Sequence, residues 1–297
     1  MSAVTVRAAA KINLHLGVGA PREDGFHPLD TVYQAVSLYD DVTVRTADSW
    51  SLRLTTADHV APGDVPLDAR NLVVRAASLL GGHPAEVAVH KEIPVAGGMA
   101  GGSADAAAAL VALDRLWGLR TPDEALLGLA ASLGSDVPFA LVGGTARGTG
   151  RGEVVTPVAD PGSWWWVVVP SGRGLSTPAV YRRLDELRPA APATPAAPGP
   201  ALSALAAGDP EALAAALHND LQAPALDLRP ELGDLLAAGE AAGALRGLVS
   251  GSGPTCVFLC PDGPAAREVA ATLRASYDVV LTAHGPVAGA HVVTGED

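Results

Sequence analysis

Residues 94–105 read Pro94-Val95-Ala96-Gly97-Gly98-Met99-Ala100-Gly101-Gly102-Ser103-Ala104-Asp105, with four glycines in six positions. The alternating run Val87-Ala88-Val89-His90-Lys91-Glu92-Ile93 precedes them and predicts a strand. Residues 106–117 follow, rich in alanine and leucine, and predict a helix with Ser103 as its N-cap. The order is therefore strand, glycine loop, helix. Such glycines let the backbone take positive φ and come close to a ligand. The helix start adds unpaired amides and a partial positive charge. Together they form an anion cradle, most often for phosphate; the plainer alternative is a structural turn. No Gly-Lys-Ser/Thr follows, so this is not a Walker loop. Nor is it a dinucleotide fingerprint, because no βαβ unit with an acid on the next strand is visible.

Upstream, residues 4–18 alternate, with Ile12, Leu14 and Leu16 on one face and Lys11, Asn13 and His15 on the other. A polar face on a first strand is ordinarily solvated; the functional alternative is that Lys11 and Asn13 project into a cleft. Only two of the twenty Lys and Arg residues are lysine, Lys11 and Lys91, and both lie in conspicuous motifs. Chance explains two cases as readily as a need for a compact ammonium. Asp24-Gly25 predicts a turn that sets Phe26 and His27 at a loop edge, either as packing or as a platform for a flat ligand. Asp136 opens a short apolar helical turn, as a cap or as a catalytic carboxylate on a rigid helix start.

Length and composition bound the rest. The chain has 297 residues, 48% of them hydrophobic, which suits a globular protein of two domains. No apolar run approaches the roughly 20 residues that span a bilayer, and the first residues lack a signal-peptide core. A cytoplasmic protein is expected. A net charge of −12 argues against nucleic acid or anionic membrane as partner. Cys256 and Cys260 sit four residues apart on one expected strand, about 13 Å, too far for a disulfide; core thiols are expected.

Along the chain, residues 31–38 predict a strand and 39–54 two more, followed by a polar connection at 55–69 and a helix at 71–80. Thr121-Pro122-Asp123-Glu124 predicts a capped helix ending at Gly134. Residues 144–153, with Arg147 and Arg151, predict a strand-loop-strand return. Asp160-Pro161-Gly162 marks a domain boundary, and Trp164-Trp165-Trp166-Val167-Val168-Val169 predicts a strand buried on both faces. After a helix at 177–187, five prolines in residues 189–200 predict a mobile linker or loop. Asp209-Pro210-Glu211 caps a helix, another spans 230–242, and Ser250-Gly251-Ser252-Gly253-Pro254-Thr255 forms a second glycine loop before the cysteine strand. A final helix runs to Ser276, and residues 278–283 and 290–294 predict closing strands.

Three stretches, Ala10-Lys11-Ile12-Asn13-Leu14, residues 94–106 and Ser250-Gly251-Ser252-Gly253-Pro254-Thr255, together resemble the GHMP small-molecule kinases. That superfamily holds galactokinase and the homoserine, mevalonate and phosphomevalonate kinases. Asp24-Gly25-Phe26-His27, Gly134-Ser135-Asp136-Val137-Pro138 and His218-Asn219-Asp220-Leu221 narrow the resemblance to its branch acting on a cytidine-diphosphate-linked methylerythritol. The resemblance covers nearly the whole chain. It implies an α+β fold of two domains, 1–160 and 161–297, with the active site in the cleft between them. It implies ATP and Mg²⁺ as cofactors, a small-molecule substrate, and a monomer or weak homodimer.

The resemblance also implies roles. Pro94, Gly97, Gly98, Met99, Ala100, Gly101, Gly102 and Ser103 wrap the triphosphate, with the Ser103 hydroxyl on the phosphates or Mg²⁺. Asn71 and Lys91 hold the adenosine. Lys11 and Asp136 form the catalytic pair. Asn13, Phe26, His27, Tyr181, Gly251 and Ser252, with Asp136, form the substrate pocket. Phe26 stands where the family often has Tyr, and Tyr181 where it has Phe, so both rings survive. Val95-Ala96 replaces a more glycine-rich start. Asp105, close to the phosphates, is expected to point outward or toward Mg²⁺. The rivals are another kinase of the superfamily, of homoserine or mevalonate type, and an inactive ligand-sensing member.

Overall fold

The computed structural model describes residues 3–60, 65–95 and 97–293. Ala96 of the glycine loop, part of the 55–69 connection, and Thr294 lie outside the described residues. In chain order the first half holds β1 (Ala3–Val18), β2 (Leu29–Thr46), β3 (Ser51–Thr56), α1 (Leu72–Leu79), β4 (Ala85–Lys91), α2 (Gly101–Trp117), α3 (Asp123–Leu133), α4 (Val137–Val142), β5 (Thr145–Gly150) and β6 (Val154–Pro157). The second half holds β7 (Trp164–Val169), α5 (Thr177–Leu187), α6 (Gly199–Ala207), α7 (Pro210–Ala216), β8 (His218–Asn219), α8 (Gln222–Leu228), α9 (Glu231–Ala241), β9 (Arg246–Val249), β10 (Cys256–Cys260), α10 (Gly263–Leu273), β11 (Leu281–Gly285) and β12 (His291–Val292).

The larger sheet runs β12-β1-β2-β4-β3, with β5 on β2, β6 on β5 and β8 parallel to β1. Strands β8 and β12 come from the second half of the chain. The smaller sheet is antiparallel, in the order β11-β7-β10-β9. One of its faces, with Trp164, Trp166, Val168 and Val257, joins the core of the larger sheet and α2. The other, with Val167, Val169 and Phe258, packs under α5, α8, α9 and α10. Burial on both faces explains why β7 is apolar at every position. Cys256 and Cys260 are buried free thiols, as expected. Among the described residues, no helix is long and apolar enough to cross a membrane.

Four sequence expectations fail for identifiable reasons. Residues 29–46 form one strand, not two, because the acids in its middle are neutralised. Asp40 receives Lys91 Nζ and the amides of Glu92 and Ile93, and Asp41 pairs with Arg7. Ser103 is not the cap of α2. The helix begins at Gly101, Ala100 takes the left-handed N-cap position at φ 59°, and Ser103 falls in the first turn. Thr121 likewise gives way to an uncapped start at Pro122. The proline-rich segment is no free linker. The Ala20 amide donates to Pro192 O, His15 Nε2 meets Ala196 O at 2.9 Å, and a Cβ at Gly17 would lie 2.4 Å from that same oxygen. The segment is laid against β1, and α6 begins at its end. Asp209 does cap α7, accepting from the Glu211 and Ala212 amides.

Candidate active site

The two glycine loops touch. Gly98 has φ +79°, and a Cβ there would lie 2.3 Å from Ser250 O. Ser250 Oγ donates to Gly98 O at 3.2 Å, and the Thr255 amide donates to Gly97 O at 3.2 Å. Glycine is required here by both the backbone angle and the close approach. Behind the first loop, α2 is sheathed in alanine and leucine and buried on nearly all sides, which fixes the direction of its N-terminus. The Ser103 and Ala104 amides donate to Ala100 O. The amides of Gly101 and Gly102 are the ones the helix leaves over, and both residues line the cleft.

Beside this cradle, the polar face of β1 is buried rather than solvated. Lys11 is 7% exposed and Asn13 2%. The Lys11 amide donates to Met99 O at 3.1 Å, tying the strand to the loop. Lys11 Nζ donates to Asn13 Oδ1 at 2.8 Å, Asn13 Nδ2 donates to Thr31 Oγ1 at 2.8 Å, and Thr31 Oγ1 donates to His15 O at 2.6 Å. This chain fixes the ammonium 3.8 Å from Asp136 Oδ2. Asp136 occupies the N-cap position of α4, yet its side chain caps nothing. It is turned instead to Lys11 and to the Tyr33 hydroxyl. Burial, and then Asp136, push the Tyr33 phenol well above its ordinary value. A Cβ at Gly251 would lie 3.3 Å from both Lys11 Nζ and Asn13 Oδ1, so the second glycine loop roofs the pair.

Lys91, at the edge of the cleft, is held by two carboxylates. Its ammonium lies 2.5 Å from Asp40 Oδ2 and 2.7 Å from Asp105 Oδ2, beneath the glycine loop. Burial alone would lower the Lys91 ammonium; Asp105 and Asp40 overcome it and hold the group above its usual value. Asp105 thus points inward, not outward. Burial pushes its carboxyl up to about 8 against the pull of Lys91. An inward carboxylate avoids repelling an anion at the loop.

A wall carrying aromatic rings lies along the same cleft, whose volume is about 830 Å³. Phe26 is 51% exposed at the loop edge, with the Arg151 guanidinium 5.0 Å from its ring centroid. The His27 and Tyr181 rings meet at 4.9 Å, and His27 Nε2 lies 2.8 Å from Asp185 Oδ1. Ser252 Oγ and Thr177 Oγ1 are 2.7 Å apart, joining the second glycine loop to α5. Pro94, Ala100 and Gly251 also line the cleft.

Three expected residues do not reach that wall. Asn71 caps α1, accepting from the Val73 amide at 2.8 Å and donating to Pro66 O at 2.7 Å. The Met99 side chain is fully buried in the core, and only its carbonyl serves the site. Ser103 sits one turn into α2, behind Gly102. Tyr33, Arg182 and Asp185, which line the cleft, escape the sequence reading. Tyr33 had a signal: it stands opposite Asn13 in the β1–β2 register, so it shares the face of Lys11 and Asn13.

A mixed sheet against an alanine-rich helix, two interlocked glycine loops and a Lys–Asp pair describe a phosphoryl-transfer site. Sequence models of the GHMP kinases N terminal domain and the GHMP kinases C terminal region match residues 71–144 and 201–279. The chain belongs to the GHMP kinase family. This GHMP kinase is 66% identical to the 4-diphosphocytidyl-2-C-methyl-D-erythritol kinase of Nocardioides sp., over 97% of this chain and 99% of that one. It is 56% identical to the enzyme of the same name from Thermobifida fusca, over 98% and 99%. A crystal structure of 4-(cytidine 5'-diphospho)-2C-methyl-D-erythritol kinase superposes with a TM-score of 0.78 at 34% identity, covering 94% of this chain and 98% of that one. Homoserine kinase from Cytophaga hutchinsonii superposes at 0.71 with 18% identity, a likeness of fold alone.

Proposed function

We propose that this kinase transfers the γ-phosphoryl group of ATP to a hydroxyl of 4-diphosphocytidyl-2-C-methyl-D-erythritol, a step of non-mevalonate isoprenoid precursor synthesis in the cytoplasm. The observation that carries it is the joining, in one cleft, of the Lys11–Asp136 pair to the Phe26, His27 and Tyr181 wall. Kinases of homoserine or mevalonate have no base to stack on that wall. The relationship to the Nocardioides enzyme, over 97% of this chain and 99% of that one, supports the same substrate.

Phosphoryl transfer needs in-line placement and charge stabilisation rather than covalent chemistry by the protein. The Gly101 and Gly102 amides at the start of α2 hold the donor phosphates. Asp136 Oδ2 accepts the hydroxyl proton as the oxygen bonds to the γ-phosphorus and the bond from that phosphorus to the β-phosphate oxygen breaks, releasing ADP. Lys11, 3.8 Å from Asp136 Oδ2, offsets the charge growing on the hydroxyl oxygen. Mg²⁺ fits this donor set as an ion carried mainly by the nucleotide. Among the described residues no group of three His, Cys, Asp or Glu gathers, and Asp105 Oδ1 is a buried oxygen without a hydrogen-bond partner. Asp105 is held inward by Lys91 and Ser103 lies behind Gly102, so the nucleotide phosphates would supply most of the ion's ligands, and the ion when bound would neutralise phosphate charge.

Gly102→Val tests the phosphate cradle. A Cβ at Gly102 meets nothing within 4 Å, whereas one at Gly101 would press on Ile93 at 3.2 Å. The Gly102 variant therefore folds with room to spare, and its side chain fills the space above the free amides. Calorimetry with a non-hydrolysable ATP analogue is expected to show binding lost while the melting temperature holds. Unchanged affinity would remove the glycine loop from nucleotide binding.

Phe26→Ala tests the recognition wall. Base–aromatic stacking is worth roughly 1–3 kcal/mol, so the substrate KM is expected to rise about 10- to 100-fold. Turnover at saturation changes less, because the ring lies away from the transferred group. The parent enzyme is also expected to discriminate against the uridine analogue, which presents a carbonyl where cytosine presents an amino group. Equal use of both analogues, with Phe26→Ala harmless to each, would leave only a kinase of unassigned substrate.

A further inference from the structure

Helix α5 presents one face to the cleft. Pro178, Tyr181, Arg182 and Asp185 lie on it at helical spacing, and all four line the wall. Two of the polar members are committed to His27: Asp185 at 2.8 Å through its carboxylate, and Tyr181 through its ring. Arg182 is not. Among the described residues no carboxylate lies within 4.0 Å of it, although the next residue, Arg183, pairs with both Glu186 and Asp227. The other cations of the cleft are all compensated. Lys11 has Asp136, Lys91 has Asp40 and Asp105, and Arg151 has Glu153 at 3.5 Å besides lying over Phe26.

A chain of net charge −12 thus keeps one arginine unpaired on the wall of its cleft, next to the ring-binding residues. An anion in this cleft would be drawn to it. The donor phosphates belong to the start of α2. The acceptor carries its own anion, a diphosphate that joins the base to the methylerythritol. With the base at Phe26, His27 and Tyr181 and the reacting hydroxyl at Lys11 and Asp136, that diphosphate must run past the inner face of α5.

The geometry points to Arg182 as the residue that holds the substrate diphosphate and so selects an acceptor carrying one, an inference that rests on the substrate reading above. Its planar fork can take two phosphate oxygens at once. Arg182 touches neither the transferred phosphoryl nor the hydroxyl, so it positions and selects the substrate rather than catalysing.

The test is a titration of the full chain with CDP and with cytidine at low salt, for the parent, Arg182→Ala and Arg182→Lys. Arg182 is exposed, so both variants keep the fold. The parent is expected to bind CDP at least about tenfold more tightly than cytidine, in line with a hydrogen bond to a charged group. Arg182→Ala is expected to erase most of that ratio with cytidine affinity unchanged, and Arg182→Lys to keep part of it. Raising the salt should shrink the parent's ratio toward that of the Ala variant. An Arg182→Ala variant that keeps the full ratio overturns the assignment of Arg182 and leaves the substrate reading intact. A parent that binds neither CDP nor cytidine overturns the substrate reading, and this assignment with it.

Discussion

Asp136→Asn is expected to lower turnover by about 10²–10⁴-fold, the usual loss when a positioned base is removed. Fold and ATP affinity should hold. Asp136 caps no helix amide, so α4 loses nothing by the change. Asparagine has nearly the same shape and can still accept a hydrogen bond from the substrate hydroxyl, but it cannot take the proton. Steady-state kinetics beside calorimetric ATP binding separates the two roles. Turnover within about threefold of the parent, far short of that loss, would mean Asp136 only orients the hydroxyl.

Lys11→Ala carries the second large effect. Its ammonium is fixed by Asn13 at 2.8 Å and faces Asp136 at 3.8 Å, so its charge is in place before the substrate arrives. Removing one preorganised group of this kind typically costs about 10²–10³ in rate. The loss is expected mainly in kcat, because the growing charge exists only in the transition state. A raised substrate KM with kcat unchanged would make Lys11 a binding residue alone. The main-chain bond from Lys11 to Met99 O persists in the variant, so the strand stays tied to the glycine loop.

The local signals in the sequence were strong where glycine and alternation speak for themselves. The strand-loop-helix unit at 85–117 and the buried β7 could be read from pattern, because each rests on neighbours in sequence. Lys11 and Asp136 were legible through their motifs. Their approach to 3.8 Å was not, since it depends on the docking of α4 against β1. A charge settled by a distant partner leaves no local signal. Asp105 reads as a carboxylate that must avoid the phosphates, and the acids at 40 and 41 fall where the sequence suggests a break between strands. Lys91 satisfies Asp105 and Asp40 from a third element, and no local pattern shows that. Ser103 failed for a different reason. A left-handed Ala100 takes the N-cap position three residues earlier than residue preference suggests. Tyr33 was within reach had the polar face of β1 been carried across to its partner strand.

The central claim is the pairing of a phosphoryl-transfer centre with a cytidine-reading wall. ADP release measured against equal concentrations of 4-diphosphocytidyl-2-C-methyl-D-erythritol, mevalonate, homoserine and galactose tests it most directly. The account predicts rapid release with the cytidine substrate and background release with the other three. Release with mevalonate or homoserine at a comparable rate, or no release with any of the four, would contradict it.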